Sequence, residues 1–295
     1  MKVISSDNII FAFSPNNKPA ATIKPKEKVK FVTIDCFGGR VKTAEDLVED
    51  GYVNPCTGPL YIAGAEPGDT LVVKIEEIKV GEYGLMTTGP NMGGFGHLVD
   101  TLEVKVISIK DKLIELNDEL KLPIEPMIGV IGTTPADEEI KTNIPGKHGG
   151  NMDVKHMKKG SILYLPVYVP GGLLAMGDLH AAMGDGETSD TGVEVAGEVT
   201  IQVDLIKGRQ ETWPVLETST KWYTIASADD YEGAVKLALE AMFKFLESRV
   251  MLKTNDIVFL LGIAADLEIC QIVNPLITVR ASLDKEMIES LKIKF

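Results

Sequence analysis

Residues 194–205 read EVAGEVTIQVDL, and the second half of this stretch alternates strictly. Val199, Ile201, Val203 and Leu205 are apolar, while Thr200, Gln202 and Asp204 between them are polar. A period of two turns one face of a strand toward a core and the other toward water. The same pattern recurs at 102–109, LEVKVISI. Residues 70–79, TLVVKIEEIK, begin as an apolar run and then mix charge with isoleucine. Between these runs lie turn-rich segments such as NPCTGP, AEPGD, TTGPNMGGFGH, NIPGKHGGN, VPGGL and MGDGETSDTG. Glycine and proline concentrated in this way predict short strands joined by long loops, most of the glycines simply making turns.

Toward the C-terminus the period changes. Asp229 or Asp230 is placed to cap a helix running to about Arg249, with Ala234, Leu237, Ala238, Ala241, Met242 and Phe245 on one face. A second helix is expected from about 254–256, followed by a strand near 268–273. The predicted fold class is therefore mainly β: a sandwich- or barrel-like body with long Gly/Pro-rich loops and a smaller α/β unit near the C-terminus. The division expected is 1–210 for the body with its catalytic loops, and 211–295 for the α/β part.

Composition excludes several functions. The 295 residues carry 30 Lys and Arg against 43 Asp and Glu, a formal charge of −13. A chain so acidic is a poor partner for phosphate backbones, so no nucleic-acid partner is expected. The longest dense apolar run, 257–265, is too short to span a bilayer, and the N-terminus has no secretory pattern, so no membrane partner is expected. Cys36, Cys56 and Cys270 are odd in number and lack C-x-x-C spacing, which argues against a disulfide framework or a zinc knuckle. The expected location is the cytoplasm.

The segment 160–206 has no Lys or Arg but holds seven acids: Asp178, Asp185, Glu187, Asp190, Glu194, Glu198 and Asp204. Such a patch repels itself unless solvated or neutralised by a cation. Within it lies GDLHAAMGDGE, residues 177–187. In an extended chain Asp178 and His180 share a face, and Asp185 and Glu187 repeat that spacing. Carboxylates and an imidazole converging in this way suit a divalent metal, with or without a general base beside it. The plainer reading is a solvated acidic loop with an incidental histidine. His148, in PGKHGGNMD with Asp153 five residues on, and His97, in GPNMGGFGHL, also sit among glycines, whereas His156 among lysines is expected at the surface. Cys36 and Cys56 are possible nucleophiles, although no local histidine is present to activate either, and a small buried cysteine is the blander reading. There is no G-x-S-x-G elbow and no phosphate-binding loop.

Taken together, these motifs resemble the acetamidase/formamidase family. The resemblance rests on TIDCFGG (33–39), NPCTGPLYIAGAEPGDTL (54–71), GPNMGGFG (89–96), IGTTP (131–135) and PGKHGGNMD (145–153). It continues through GSILYLPVYVPGGLLAMGDLHAAMGDGE (160–187) and, more loosely, AADLEICQIVNP (264–275). What it implies is hydrolysis of short aliphatic amides to a carboxylate and ammonia by a mainly β homo-oligomer, a homodimer or larger. Asp178, His180 and Glu187 are the first positions it points to, with Asp35, His148 and Asp153 second.

On this basis Asp35, Asp178 and His180 are expected to hold a divalent metal, zinc foremost, with calcium possible as a second ion. Glu187, His148 and Asp153 are the expected catalytic residues. Glu187 would move the proton, while His148 and the N–H groups of Gly149 and Gly150 would face the oxyanion of the bound amide. Two alternatives stand beside this reading: an amidase with a cysteine nucleophile, and a non-catalytic protein that binds a small molecule or a cation.

Overall fold

The alternation at 199–205 becomes a strand spanning Gly197–Ile206, with Val199, Ile201 and Val203 wholly buried and Thr200, Gln202 and Asp204 half-buried. This strand lies inside a nine-stranded sheet of the computed structural model, which describes residues 1–47 and 52–290. The sheet runs in the order Lys2–Ile4, Lys28–Thr33, Gly197–Ile206, Thr70–Val80, Ile162–Pro166, Val215–Glu217, Lys221–Ala228, Ile277–Asp284 and Asp266–Gln271. The LEVKVISI pattern becomes the strand Glu103–Lys110 in a second sheet, of eleven strands among the described residues. There Leu174–His180 pairs antiparallel with Met127–Gly132, Cys56–Ile62 and Glu194–Val195.

The two sheets share one apolar core. Val29, Val73 and Ile201 from the first meet Leu60, Ile128, Met176 and Leu179 from the second. The fold is mainly β, as the strand patterns require.

A second core forms near the C-terminus. Helix α1 (Tyr231–Glu247) is capped by Asp230, whose side chain accepts from Gly233 N at 2.7 Å. Its Ala234, Ala238 and Ala241 are small enough for the helix to lie close on the strands Lys221–Ala228 and Ile277–Asp284, where Trp222, Val279 and Ala281 fill the contact. Helix α2 (Thr254–Ala264) follows and leads straight into the edge strand Asp266–Gln271. Strands on both sides of residue 210 thus share one sheet, while the C-terminal part keeps a core of its own. Among the described residues, no helix is long and apolar enough to cross a membrane.

Candidate active site

The strand Leu174–His180 supplies the centre of the site. Its register places His180 opposite Met127 on one side and Glu194 on the other. The ladder with Met127–Gly132 is irregular at Asp178, which adopts φ 55° and turns its carboxylate beside the ring of His180. Asp153 and Glu187 also lie in the left-handed region, at φ 47° and 46°. Three non-glycine acids held in this sparsely populated conformation around one point mark a place where the surrounding fold dictates the backbone.

These residues gather around one imidazole nitrogen. His180 Nε2 lies 3.1 Å from Glu194 Oε1, 3.7 Å from Asp178 Oδ1, 3.8 Å from Asp153 Oδ1 and 3.9 Å from Glu187 Oε1. All five side chains are buried. Two amides organise the acids. Asn274 Nδ2 donates to Asp153 Oδ2 at 2.7 Å and to the Asn151 carbonyl at 3.0 Å. With its amide turned so that nitrogen faces the acids, Asn151 donates to Asp153 Oδ2 at 2.8 Å and to Asp178 Oδ2 at 3.1 Å. Glu187 Oε1 accepts from Gly192 N at 3.1 Å. Asn274 is itself placed by buried Gln271, whose Oε1 accepts from the backbone N–H groups of Val273 and Asn274 and so folds that turn.

Glycine makes room for this packing. A Cβ on Gly129 would stand 2.5 Å from Asp153 Oδ1 and 2.6 Å from Asp178 Oδ2, and one on Gly192 would stand 2.5 Å from His180 Nδ1. The segment carrying Glu187 is tied to the edge strand through Gly186 N to Cys270 O and Ile272 N to Gly186 O. Beside it Arg280, fully buried, holds Asp185 through two bonds of 2.8 Å and also binds Glu268.

Four buried carboxylates without a Lys or Arg partner among the described residues create an electrostatic problem. Burial and the negative neighbours push Asp153, Glu187 and Glu194 above the usual carboxylate range. Burial opposes a charge on His180, yet Glu194 and Asp178 hold its pKa well above the ordinary value. Cys36 joins the group: its sulfur falls with Asp178 and Glu194 in one potential ligand set, while Asp153, His180 and Glu187 form a second. Within each set the donor atoms all lie within 4.8 Å of one another. Asp178 Oδ1, Glu194 Oε2 and both His180 nitrogens have no hydrogen-bond partner. Buried, orphaned nitrogen and oxygen atoms with a thiol beside them at this spacing fit a divalent metal. The group opens on a cavity of about 500 Å³ lined by Cys36, Asn54, Thr87, Asn151, Asp178, Glu187, Asp190 and Glu194.

Of the positions singled out in the sequence, Asp153, Asp178, His180 and Glu187 come together here. Asp35 is placed differently: its Oδ1 accepts from Phe37 N at 3.0 Å and Gly39 N at 2.9 Å, shaping the turn that presents Cys36. His148 does not line the cavity. It is buried against Phe13, ring centroids 5.0 Å apart, and burial pushes its pKa down to about 4. Gly149 and Gly150 pair with Gly132 and Ile131 in the second sheet. His156, expected at the surface, is half-buried and stacked on Tyr223. Asp185 repeats the spacing of Asp178 and His180 but turns to Arg280. Glu194, Asn151 and Asn274 were not singled out as site residues. Glu194 had one usable signal, its place in the cation-free acidic stretch.

The family model for the acetamidase/formamidase family matches residues 5–143 and 134–233. The crystal structure of a Thermoanaerobacter tengcongensis protein described as a predicted acetamidase/formamidase superposes with a TM-score of 0.96. The two are 43% identical, over 100% of this chain and 99% of that one. An acetamidase structure from Bacillus halodurans gives a TM-score of 0.94, also at 43% identity, covering 98% of this chain and 99% of the other. The acetamidase of Mycolicibacterium smegmatis is 29% identical, in a match that covers 68% of this chain and 66% of its own, so this chain spans just under two thirds of that relative's length. With its motifs and fold matched through most of its length, the chain belongs to the acetamidase/formamidase family.

Proposed function

We propose that the protein is an amidohydrolase that cleaves the C–N bond of short aliphatic amides, such as acetamide and formamide, giving a carboxylate and ammonia. The observation that carries this reading is the buried group of four acids and one imidazole, three of whose acids, Asp178, Glu187 and Glu194, line a cavity of about 500 Å³, in a chain of this family. An amide resists attack because resonance weakens its carbonyl and its nitrogen leaves poorly. Hydrolysis therefore needs an activated water, a stabilised oxyanion and a proton for the departing nitrogen.

Asp153, Asp178 and His180, with Glu194 and Cys36 adjoining, would hold the divalent metal, for which zinc suits the nitrogen and sulfur donors and calcium suits an all-carboxylate position. Such an ion lowers the pKa of bound water toward about 7 and polarises a carbonyl oxygen. Glu187 lines the cavity at the edge of the group, and its raised pKa suits it to accept a proton from the attacking water and return it to the amide nitrogen. Asn151 and Asn274 fix Asp153 so that the donors stay convergent. Burial, Glu194 and Asp178 hold the Cys36 thiol protonated in the metal-free group, which speaks against a cysteine nucleophile. We further propose a homo-oligomeric cytoplasmic enzyme, the three buried free thiols fitting a reducing compartment.

Ammonia release from a panel of short amides tests the activity. Glu187→Gln is expected to keep its fold and bound metal while turnover falls by roughly 10²–10⁴-fold. Unchanged turnover in that variant would remove Glu187 from the mechanism, and no ammonia from any amide in the panel would remove the reading altogether.

A further inference from the structure

The outer face of the nine-stranded sheet carries a cavity of about 500 Å³ that shares no lining residue with the cavity of the candidate active site. Strand register builds it. Lys74, Ile162, Glu217 and Trp222 stand in one row across four neighbouring strands, and Asp204, Val72 and Tyr164 form the row beside it. Their chain neighbours Val73, Leu163 and Val203 point into the core between the sheets, so a period of two sends both rows outward. Arg249, just beyond the end of α1, closes the space together with Arg209 and Lys285.

Charge in this cavity runs against that of the whole chain. In a protein of net −13, the lining holds Lys74, Arg209, Arg249 and Lys285 against Asp204 and Glu217. Lys285 pairs with Glu217, which also accepts from the Tyr164 hydroxyl at 2.7 Å, and Arg249 pairs with Glu211. Lys74 and Arg209 have no ion pair among the described residues, so with Asp204 they leave one uncompensated positive charge. Arg209 is half-buried, and its Nε is buried without a hydrogen-bond partner. The Nε of Arg249, whose side chain is 3% exposed, is likewise unpartnered. Burial, with Arg209 nearby, holds the pKa of Arg249 below its ordinary value despite Glu211. Guanidinium donors left open in this way are costly unless an acceptor meets them.

We infer that this cavity is a second binding site, for a small carboxylate carried on an apolar ring. The carboxylate supplies the acceptor that Arg209 lacks, its two oxygens matching the planar fork of a guanidinium, and Lys74 adds its charge. One negative charge meets the one positive charge left over. Val72, Ile162, Ile206 and the ring of Tyr164 supply an apolar wall, and a space of this size takes a one-ring ligand. The inference goes beyond the amidohydrolase reading and does not rest on it, since neither cavity lends a residue to the other.

Trp222 stands in the wall and serves as the reporter. Trp213→Phe leaves it the single tryptophan of the full chain, and titration of that protein with sodium benzoate at low salt is expected to change its emission saturably. Acetate has the charge without the ring and benzyl alcohol the ring without the charge, so each should bind roughly tenfold more weakly or worse. In the same background Arg209→Met, and separately Lys74→Glu at an exposed position, should weaken benzoate by roughly tenfold or more, with circular dichroism confirming the fold. Glu187→Gln, in the candidate active site, should bind benzoate as its parent does. If Arg209→Met does not fold, Lys74→Glu decides. No saturable change up to about 10 mM benzoate overturns the inference. So does binding that survives Lys74→Glu, that Glu187→Gln abolishes, or that acetate or benzyl alcohol matches.

Discussion

Gly129 shows how tightly the site is built at the scale of single residues. Its missing side chain is the space in which Asp153 and Asp178 approach each other. Gly129→Ala is expected to drive these carboxylates apart, lowering bound metal and cutting amide turnover by roughly a hundredfold. Gly262→Ala, where a Cβ meets nothing within 4 Å, should change neither. Metal analysis and an ammonia assay on the two variants check this. His148 makes a second prediction, about stability. Buried against Phe13, its pKa is pushed by burial down to about 4, below the ordinary value of 6.5. The unfolded chain thus binds the proton first as pH falls. The contribution is fully present above pH 6.5 and is lost by pH 4, a difference of about 3 kcal/mol. Denaturant unfolding across that range should show His148→Leu losing less stability than the wild type. Parallel curves would place His148 outside the acid transition.

Among the elements, the loop carrying Glu187 depends on its anchor. Arg280 lies fully buried in the strand Ile277–Asp284 and binds Asp185 two residues before Glu187. Removing one partner of a buried pair leaves the other charge uncompensated. Because Asp185 is partly exposed, the cost falls at the lower end for such pairs. Arg280→Met is expected to lose about 2–3 kcal/mol in thermal or denaturant unfolding. It should also lower amide turnover while leaving bound metal in place, since Asp153, Asp178 and His180 stand on other elements. Loss of stability with unchanged turnover would separate the anchor from the chemistry. Strands and helices are also where the sequence was most readable. Period two at 199–205 and the acidic cap before 231 act within a few residues of themselves, so local pattern sufficed. The site residues that escaped notice act at a distance. Glu194 faces His180 through strand register, and Asn274 reaches Asp153 across 121 positions in the chain. No spacing rule carries such a contact. Asp185 misled for the same reason: its spacing matched that of Asp178, but its partner, Arg280, lies 95 residues away.

For the whole molecule, the fold explains how an excess of acid becomes a site. The stretch 160–206 contains no base, and the chain divides its acids by finding partners elsewhere. Glu198 pairs with Lys30 and Asp185 with Arg280 and Lys155; of the other five, Asp204 stays half-buried on its strand, Asp190 lines the cavity, and Asp178, Glu187 and Glu194 meet Asp153 around His180. Such a remainder is stable only if protons or a cation neutralise it. The central claim, that a divalent ion held there drives amide hydrolysis, is tested most directly by following metal occupancy and ammonia release together. Protein purified without chelator should contain a divalent ion and release ammonia from acetamide or formamide. Chelation should reduce both in proportion, and returning zinc should restore both. Full amide turnover by protein stripped of divalent ions would contradict the account.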